Sequence, residues 1–142
     1  MRVVIMILML LAFSMGIEEF EHSNGHDILR ELEGNNNNVY IIFFYAAATD
    51  GSTLGNLNED YEKALTSRVL DEYPEFYYAK VDANNKDYSE VVKQCGIDVD
   101  ELQKSPSILI MENGNGAWIH GPQTISKIEE YAPAYSKRSK NA

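Results

Sequence analysis

An apolar run of eight residues, VYIIFFYA from Val39 to Ala46, constrains the fold of this chain more than any other feature. The run is rich in β-branched and aromatic side chains, and polar residues do not alternate with them. A strand with one face in water shows that alternation, whereas a strand buried on both faces reads as a near-continuous apolar segment. The run therefore predicts a central strand with a packing layer on each side of its sheet.

Helical and strand-like segments alternate along the rest of the chain. Asn24 or Asp27 is placed to cap a helix before the run, and Pro74 ends the helix after it because proline cannot continue a helix. The sequence NGNG at 113–116 is typical of a hairpin turn. In chain order, the predicted elements are a helix carrying Ile28, Leu29 and Leu32, the strand 39–46, a helix carrying Leu57, Tyr61, Ala64, Leu65 and Val69, a strand 76–83, a helix 86–97, a strand 106–112, a strand 117–120 and a helix 124–135.

This order of elements predicts an α/β fold. Alternating strands and helices imply parallel strands joined by right-handed crossovers, and the last two strands form an antiparallel edge. The 142 residues suffice for one domain with a real core, and neither a repeat nor a linker divides it. The predicted organisation is a hydrophobic segment at 1–17, a domain at 18–136 and a basic tail at 137–142.

The N-terminal segment allows two interpretations. It carries Arg2, an apolar run from Val3 to Phe13 and then small residues, which is typical of a secretory signal peptide. The stretch 3–17 is shorter than the roughly 20 apolar residues of a spanning helix, but a thinned bilayer would accommodate it. A cleaved signal peptide places the protein in the secretory pathway or the endoplasmic reticulum lumen. A retained anchor makes it membrane-associated, with a mitochondrial membrane complex as an alternative location.

Composition argues against several classes of function. The formal net charge is −10 and no basic patch is visible, so we expect no binding of nucleic acid. Cys95 is the single cysteine, so the chain can form neither an intramolecular disulfide nor a zinc site with several cysteines. His22 and His26 are spaced for one helix face, but the SNG between them breaks a helix. The sequence predicts no metal site and no cofactor.

Several short strings carry a family resemblance. They are FYAAATDGST at 44–53, YEKA at 61–64, AKVDA at 79–83, QCGI at 94–97, SPS at 105–107 and GPQT at 121–124. The layout resembles the thioredoxin fold, and these strings resemble its protein disulfide isomerase branch over residues 24–135. The resemblance implies a thioredoxin-like three-layer fold, in which a central mixed sheet has helices on both faces.

The departures from the family concern its chemistry. By resemblance, the two catalytic cysteines fall at Thr49 and Ser52, with Asp50 and Gly51 between them. Phe43 stands where the family has a buried glutamate that accepts a proton. Disulfide exchange needs a thiolate and a second, resolving thiol, and hydroxyl groups cannot replace them. These four vestigial positions therefore predict a protein that is not an enzyme.

A second loop of the family faces its active site. There the family has a cis proline, and Ser105–Pro106 matches that loop by resemblance, although X–Pro bonds are trans by default. An insertion at 98–104 precedes the loop and is expected to displace or decorate it. The surface near Thr49, Ser52 and Pro106 is a candidate peptide site, as in non-catalytic domains of this branch. The alternative is that the polar side chains at 49–52 simply cap the next helix.

The predicted function is a redox-inactive structural or protein-binding module, whose partners are complex subunits or a peptide client. One context is an accessory subunit of a membrane-associated assembly, with residues 3–17 in the membrane. Another is a luminal chaperone related to protein disulfide isomerase. A monothiol oxidoreductase that uses Cys95 is a further alternative, against which burial of Cys95 would argue. A hydrolase would need His120 as a base for Thr49 or Ser52, and we expect His120 on the opposite side of the fold.

Overall fold

The structure is a computed structural model that describes residues 19–48 and 53–136. The hydrophobic segment 1–17, the vestigial positions 49–52 and the basic tail 137–142 lie outside the described residues. Predictions made for those segments therefore stay predictions. Within the described ranges, no helix has the length and apolar character needed to cross a lipid bilayer.

All the predicted helices and strands are present in the described part of the chain. Their order is α1 (Gly25–Glu33), β1 (Val39–Tyr45), α2 (Thr53–Leu65), β2 (Tyr77–Asp82), α3 (Ser89–Gln94), α4 (Val99–Leu102), β3 (Ser107–Glu112), β4 (Asn115–His120) and α5 (Thr124–Tyr135). A π-helical turn (Thr66–Leu70) continues α2, and a 3₁₀ turn (Lys86–Tyr88) leads into α3. The insertion at 98–104 folds as α4, which the sequence analysis did not predict. Asp98 begins this helix because its side chain accepts a hydrogen bond from the N–H of Asp100, at 3.0 Å.

The four strands form one mixed sheet in the order β2-β1-β3-β4. β1 and β2 run parallel, but β3 runs antiparallel to β1 and to β4. The expectation that parallel strands extend to β3 is therefore wrong. β2 ends at Asp82 opposite Tyr45, and β3 starts at Ser107 opposite Phe44, so both lie at the end of the sheet where β1 finishes. The connection through α3 and α4 returns the chain to the end that it had just left, and alternation alone does not specify this.

β1 is buried on both faces, as its sequence predicted. Val39, Ile41 and Phe43 pack on one side with α2, its π-helical turn and α5. Tyr40, Ile42 and Phe44 pack on the other side with α1, α3 and α4. Full burial of one such side chain contributes about 1.5–3 kcal/mol. The prediction of a three-layer fold, with a central mixed sheet and helices on both faces, is confirmed.

Local hydrogen bonds explain where α1 and the hairpin begin. Asn24 is the N-cap of α1, since its side-chain oxygen accepts a hydrogen bond from the N–H of Asp27 at 2.9 Å. Asn113 and Gly114 have φ values of 51° and 80°, which suits the two-residue turn that matches strand twist. This turn fixes the register of β3 against β4.

Candidate functional site

The end of β1 is where the sequence placed the vestigial site, and the described side of it is apolar. Phe43 is buried, and Ala46, Ala47 and Ala48 follow the strand. Because the geometry of Thr49–Ser52 lies outside the described residues, their capping or binding role stays a prediction.

The side-chain amides of Asn58 and Asn84 and the carboxylate of Asp82 hold the chain just after β1. The Asn58 side-chain amide donates to the carbonyl of Ala46 at 2.9 Å. The Asp82 carboxylate accepts from the N–H of Ala47 at 3.3 Å and from the N–H of Asn84 at 3.0 Å. The side-chain oxygen of Asn58, Oδ1, is buried and has no hydrogen-bond partner among the described residues. A group of this kind costs about 1–3 kcal/mol, and neither it nor Asp82 supplies redox chemistry.

The proline loop differs from the form that the resemblance implied. Ser105 and Pro106 are both buried. No peptide bond within 19–48 or 53–136 is cis, so the Ser105–Pro106 bond is trans, the form that X–Pro bonds favour by about 0.5–1 kcal/mol. Buried residues present little surface to a partner, so the loop adds little to a peptide site here.

A series of polar contacts from Ser107 through His120 to Glu101 joins β3, β4 and α4. Ser107 Oγ lies 2.9 Å from His120 Nδ1, and His120 Nε2 lies 3.1 Å from Glu101 Oε2. The register pairs Phe44 with Ser107 and Ser107 with His120, so His120 lies at the end of the sheet where β1 finishes. The expectation that it lies on the opposite side of the fold is wrong.

This Ser–His–Glu chain resembles a hydrolase triad in composition but not in exposure. Ser107 has 1% of its surface exposed, so its hydroxyl cannot approach a substrate, and a nucleophile must do so. The chain instead holds α4 against the end of the hairpin. A sequence signal for it existed, because the Asn113–Gly114 turn sets the register that places Ser107 opposite His120.

Cys95 follows α3 and is half-buried against the core on the α1 side of the sheet. Burial raises the pKa of the Cys95 thiol to about 11. The predicted role as a small apolar side chain fits this position. At pH 7 a thiol with that pKa is about one part in ten thousand thiolate, and the thiolate is the form that attacks disulfides.

A groove that the sequence analysis did not anticipate lies beside Cys95. It encloses about 380 Å³, at the small end of the range for ligand sites. Its lining is mainly apolar and comes from α1, the end of α3, β3 and β4: Leu29, Leu32, Glu33, Gln94, Cys95, Leu109, Met111, Gly114, Gly116, Ala117 and Trp118. Trp118 is 45% exposed, and large exposed apolar side chains of this kind mark interaction sites when they border a groove.

Two further groups of polar residues do not form a metal site. No three His, Cys, Asp or Glu side chains in the described ranges cluster in a way that could hold an ion. His22 contacts the Tyr88 hydroxyl at 2.9 Å and the Glu19 carboxylate at 3.0 Å. Asp98, Asp100 and Glu101 belong to α4, where they cap the helix and contact His120.

Comparison with known proteins identifies the fold. No protein-family model and no curated protein sequence matches the chain. Among solved structures, it is similar to thioredoxin f from spinach chloroplast, with 14% identity and a TM-score of 0.62 over 84% of this chain and 93% of that one. Mitochondrial thioredoxin 3 from Saccharomyces cerevisiae in its oxidised form has 17% identity and a TM-score of 0.59, covering 83% and 94%. Thioredoxin from Trypanosoma brucei brucei has 16% identity and a TM-score of 0.58, covering 80% and 86%. These likenesses show a thioredoxin-like fold.

Proposed function

We propose that this chain is a thioredoxin-like protein that binds another polypeptide and does not catalyse thiol–disulfide exchange. The observation that carries the proposal is the state of its single thiol. Cys95 has no second cysteine to resolve a mixed disulfide, and burial raises its pKa to about 11. The similar solved structures are thioredoxins, but thiol–disulfide exchange needs a thiolate and a second, resolving thiol, and this sequence has a single cysteine.

The binding role is supported by what the fold presents in place of a redox site. The groove beside Trp118 is apolar, partly open to solvent and built on a rigid sheet. Aromatic side chains such as tryptophan are enriched at protein interfaces. By resemblance to the protein disulfide isomerase branch, we place such a module among the non-catalytic domains that hold peptides.

Two cellular contexts follow from the hydrophobic segment at 1–17. A retained segment would make the chain an accessory subunit of a membrane assembly, in the secretory pathway or in a mitochondrial membrane. A cleaved one would leave a luminal chaperone-like module. The intact mass of the protein from its native membrane fraction decides between them, since cleavage would remove roughly 14 to 16 residues.

An insulin-reduction assay with dithiothreitol tests the absence of exchange activity. We expect no rate above the dithiothreitol background, and we expect the Cys95→Ser variant to match the unmodified chain. A thioredoxin serves as the positive control. Turnover that disappears in Cys95→Ser would support the rival function, a monothiol oxidoreductase, and would contradict the proposal.

A second assay addresses that rival directly. After incubation with glutathione disulfide at pH 7, we expect the intact mass to stay unchanged, because so little of Cys95 is thiolate. Urea-unfolded chain provides the control, since an accessible thiol should gain one glutathione. Rapid, stoichiometric glutathionylation of the folded chain would favour the oxidoreductase.

A further inference from the structure

β4 is an edge strand whose outer backbone groups have no hydrogen-bond partner among the described residues. The other edge strand, β2, is covered: the N–H of Phe20 donates to the carbonyl of Tyr78 at 3.0 Å, and the Glu19 carboxylate accepts from the N–H of Lys80 at 2.6 Å. An uncovered edge offers a row of N–H and C=O groups to another strand. The open edge is therefore a property of β4 and not of the sheet in general.

The sequence of β4 lacks the devices that keep an edge from pairing. NGAWIH contains no lysine, acidic residue or proline, and those residues commonly protect edges. His120 is engaged with Ser107 and Glu101. Gly116 has no side chain to cover the backbone, and a Cβ there would collide with the carbonyl of Ile110.

The groove is continuous with this edge. Gly116, Ala117 and Trp118 are consecutive and all line it, although neighbouring side chains in a strand point to opposite faces. The groove must therefore reach the backbone of β4 as well as the face that carries Trp118. A strand added beside β4 would place every second side chain near Trp118, at the mouth of the groove.

We propose that β4 and the adjoining groove form a docking surface for an extended, positively charged segment of another polypeptide. The segment adds to the sheet as a fifth strand and places an apolar side chain against Trp118. This inference rests on the proposed binding function and names its location and its class of partner. Backbone hydrogen bonds to a sheet edge give affinity in this mode, and side-chain pockets give specificity.

Charge selects the occupant. Glu33 lines the groove, and the neighbouring hollow that shares Leu29, Glu33 and Gln94 adds Glu90, Arg30 and His26. The carboxylates outnumber the guanidinium there, and the chain as a whole carries −10. A second copy of the chain also has a net charge of −10 and would be repelled, whereas a basic segment would be attracted.

Fluorescence anisotropy on the full chain tests the surface with three labelled ten-residue peptides. The first alternates valine with lysine and threonine, the second replaces each lysine by glutamate, and the third is the basic peptide with two central prolines. We expect the basic peptide to bind, and the other two to bind at least about tenfold more weakly because of charge and of lost backbone hydrogen bonds.

Matched variants locate the site. Trp118→Ala should weaken binding by about tenfold or more, as expected for a central aromatic contact. Tyr77→Ala removes an exposed aromatic side chain from the covered edge strand (43% exposed, against 45% for Trp118) and should leave binding unchanged. Glu33→Gln should weaken binding about threefold relative to Asp60→Asn, an equal charge change at an exposed position of α2. Thermal unfolding confirms that each variant is folded.

Three results would overturn the inference. They are no binding of any peptide at about millimolar concentration, equal effects of Trp118→Ala and Tyr77→Ala, and a dimer in sedimentation that Trp118→Ala dissociates, which would make a second copy the occupant. Amide shifts outside β4 with binding retained in Trp118→Ala would leave the binding function standing and remove its location. Insulin reduction that depends on Cys95 would instead contradict the proposed function, whatever β4 binds.

Discussion

The two edges of the sheet are built differently although each carries an exposed aromatic side chain, Tyr77 on β2 and Trp118 on β4. At β2, residues 19–22 lie along the strand, and Phe20 packs edge-on against Tyr40 and His22. At β4, within the described residues, no segment lies along the strand, and Trp118 faces a groove. The difference shows that this fold can cover an edge with a few residues, so an open edge is a feature to be explained.

The covered edge also has polar contacts along its length, whereas among the described residues the polar side-chain contacts of the open edge are those of His120 at its end. Tyr78 donates its hydroxyl to Glu62 at 2.9 Å, and Lys80 lies 3.4 Å from the same carboxylate. His22 links Glu19 to Tyr88. The contacts of His22 hold the cover in place, whereas the exposed side of β4 leaves room for a partner.

The largest expected effect comes from removing the cover. Phe20→Ala takes away a half-buried ring, and we expect it to lower the free energy of unfolding by about 2 kcal/mol, below the 3–5 kcal/mol of a fully buried Phe. Trp118→Ala on the open edge should cost less than about 1 kcal/mol, because the side chain is 45% exposed. Urea unfolding measures both. Equal losses would mean that the two edges are equally integrated into the fold and would remove the contrast.

How far the sequence predicts this fold depends on the range of the interactions involved. β1 was predicted because the continuous apolar run Val39–Ala46 indicates a strand that is buried on both faces. α5 was predicted because its periodicity and bounds are local. The direction of β3 was not, since it depends on how α3 and α4 return the chain, which no local pattern encodes.

The functional features were harder to predict for the same reason. The cover on β2 depends on the hydrogen bond that the N–H of Phe20 donates to Tyr78 and on the one that the Glu19 carboxylate accepts from Lys80. The segment that carries Glu19 and Phe20 has no periodic sequence pattern. The groove combines α1, α3, β3 and β4, which are distant in sequence. Cys95 was a partial exception: the sequence analysis named its burial as the observation that would argue against a redox role, and the structure finds it half-buried with a raised pKa.

The Ser107–His120–Glu101 chain sets how firmly the end of β4 is held. His120→Ala would leave the buried Ser107 hydroxyl without its partner, and we expect a loss of about 1–2 kcal/mol. Ser107→Ala removes the buried hydroxyl itself and leaves no unpaired hydroxyl at this position. It should therefore lower the free energy of unfolding by less than His120→Ala does. The exposed pair of Lys104 and Glu101 is the control, and Lys104→Ala should be close to neutral.

Urea unfolding and amide exchange in α4 measure these losses. If His120→Ala left the free energy of unfolding unchanged, α4 would be held by Leu102 in the core and not by the contacts of His120. The C-terminal end of β4 would then be held no more firmly than the rest of the open edge.

Unfolding at alkaline pH distinguishes the covered edge from the groove, because each contains a buried or half-buried group that loses a proton at high pH. Burial, followed by the charge of Glu62, raises the pKa of Tyr78 at the covered edge, and burial raises the pKa of Cys95 in the groove to about 11. In each case the unfolded chain loses its proton first, so stability falls as pH rises above the unfolded value. That fall spans about pH 9 to 11 for Cys95 and begins near pH 10 for Tyr78.

We therefore expect stability above pH 10 to fall less steeply in Tyr78→Phe than in the unmodified chain. Cys95→Ser should change the slope mainly between pH 9 and 11, and by a smaller amount because the thiol is half-exposed. Urea unfolding at pH 8, 9.5 and 10.5 provides the comparison. A larger effect from Cys95→Ser would show that the groove, and not the covered edge, is the more alkali-sensitive region.

The smallest expected effect concerns the anchor of the cover at α1. The backbone N–H and the hydroxyl of Ser23 both donate to Asp27, at 2.9 and 3.0 Å, and these bonds, the backbone one first, lower the pKa of Asp27. Because the folded-state pKa is depressed, the stabilisation is present above the ordinary aspartate pKa of 3.8 and is lost as pH falls through the folded-state pKa. Asp27→Asn should therefore speed amide exchange at Lys80 slightly at pH 7, since the segment that covers β2 is less firmly anchored. In the unmodified chain the same increase should appear only as the pH drops below about 4. Amide exchange at Trp118 should not change in either case, because nothing in the described part of the chain covers β4. Faster exchange at both Lys80 and Trp118 would show that Asp27 acts on global stability and not on the covered edge.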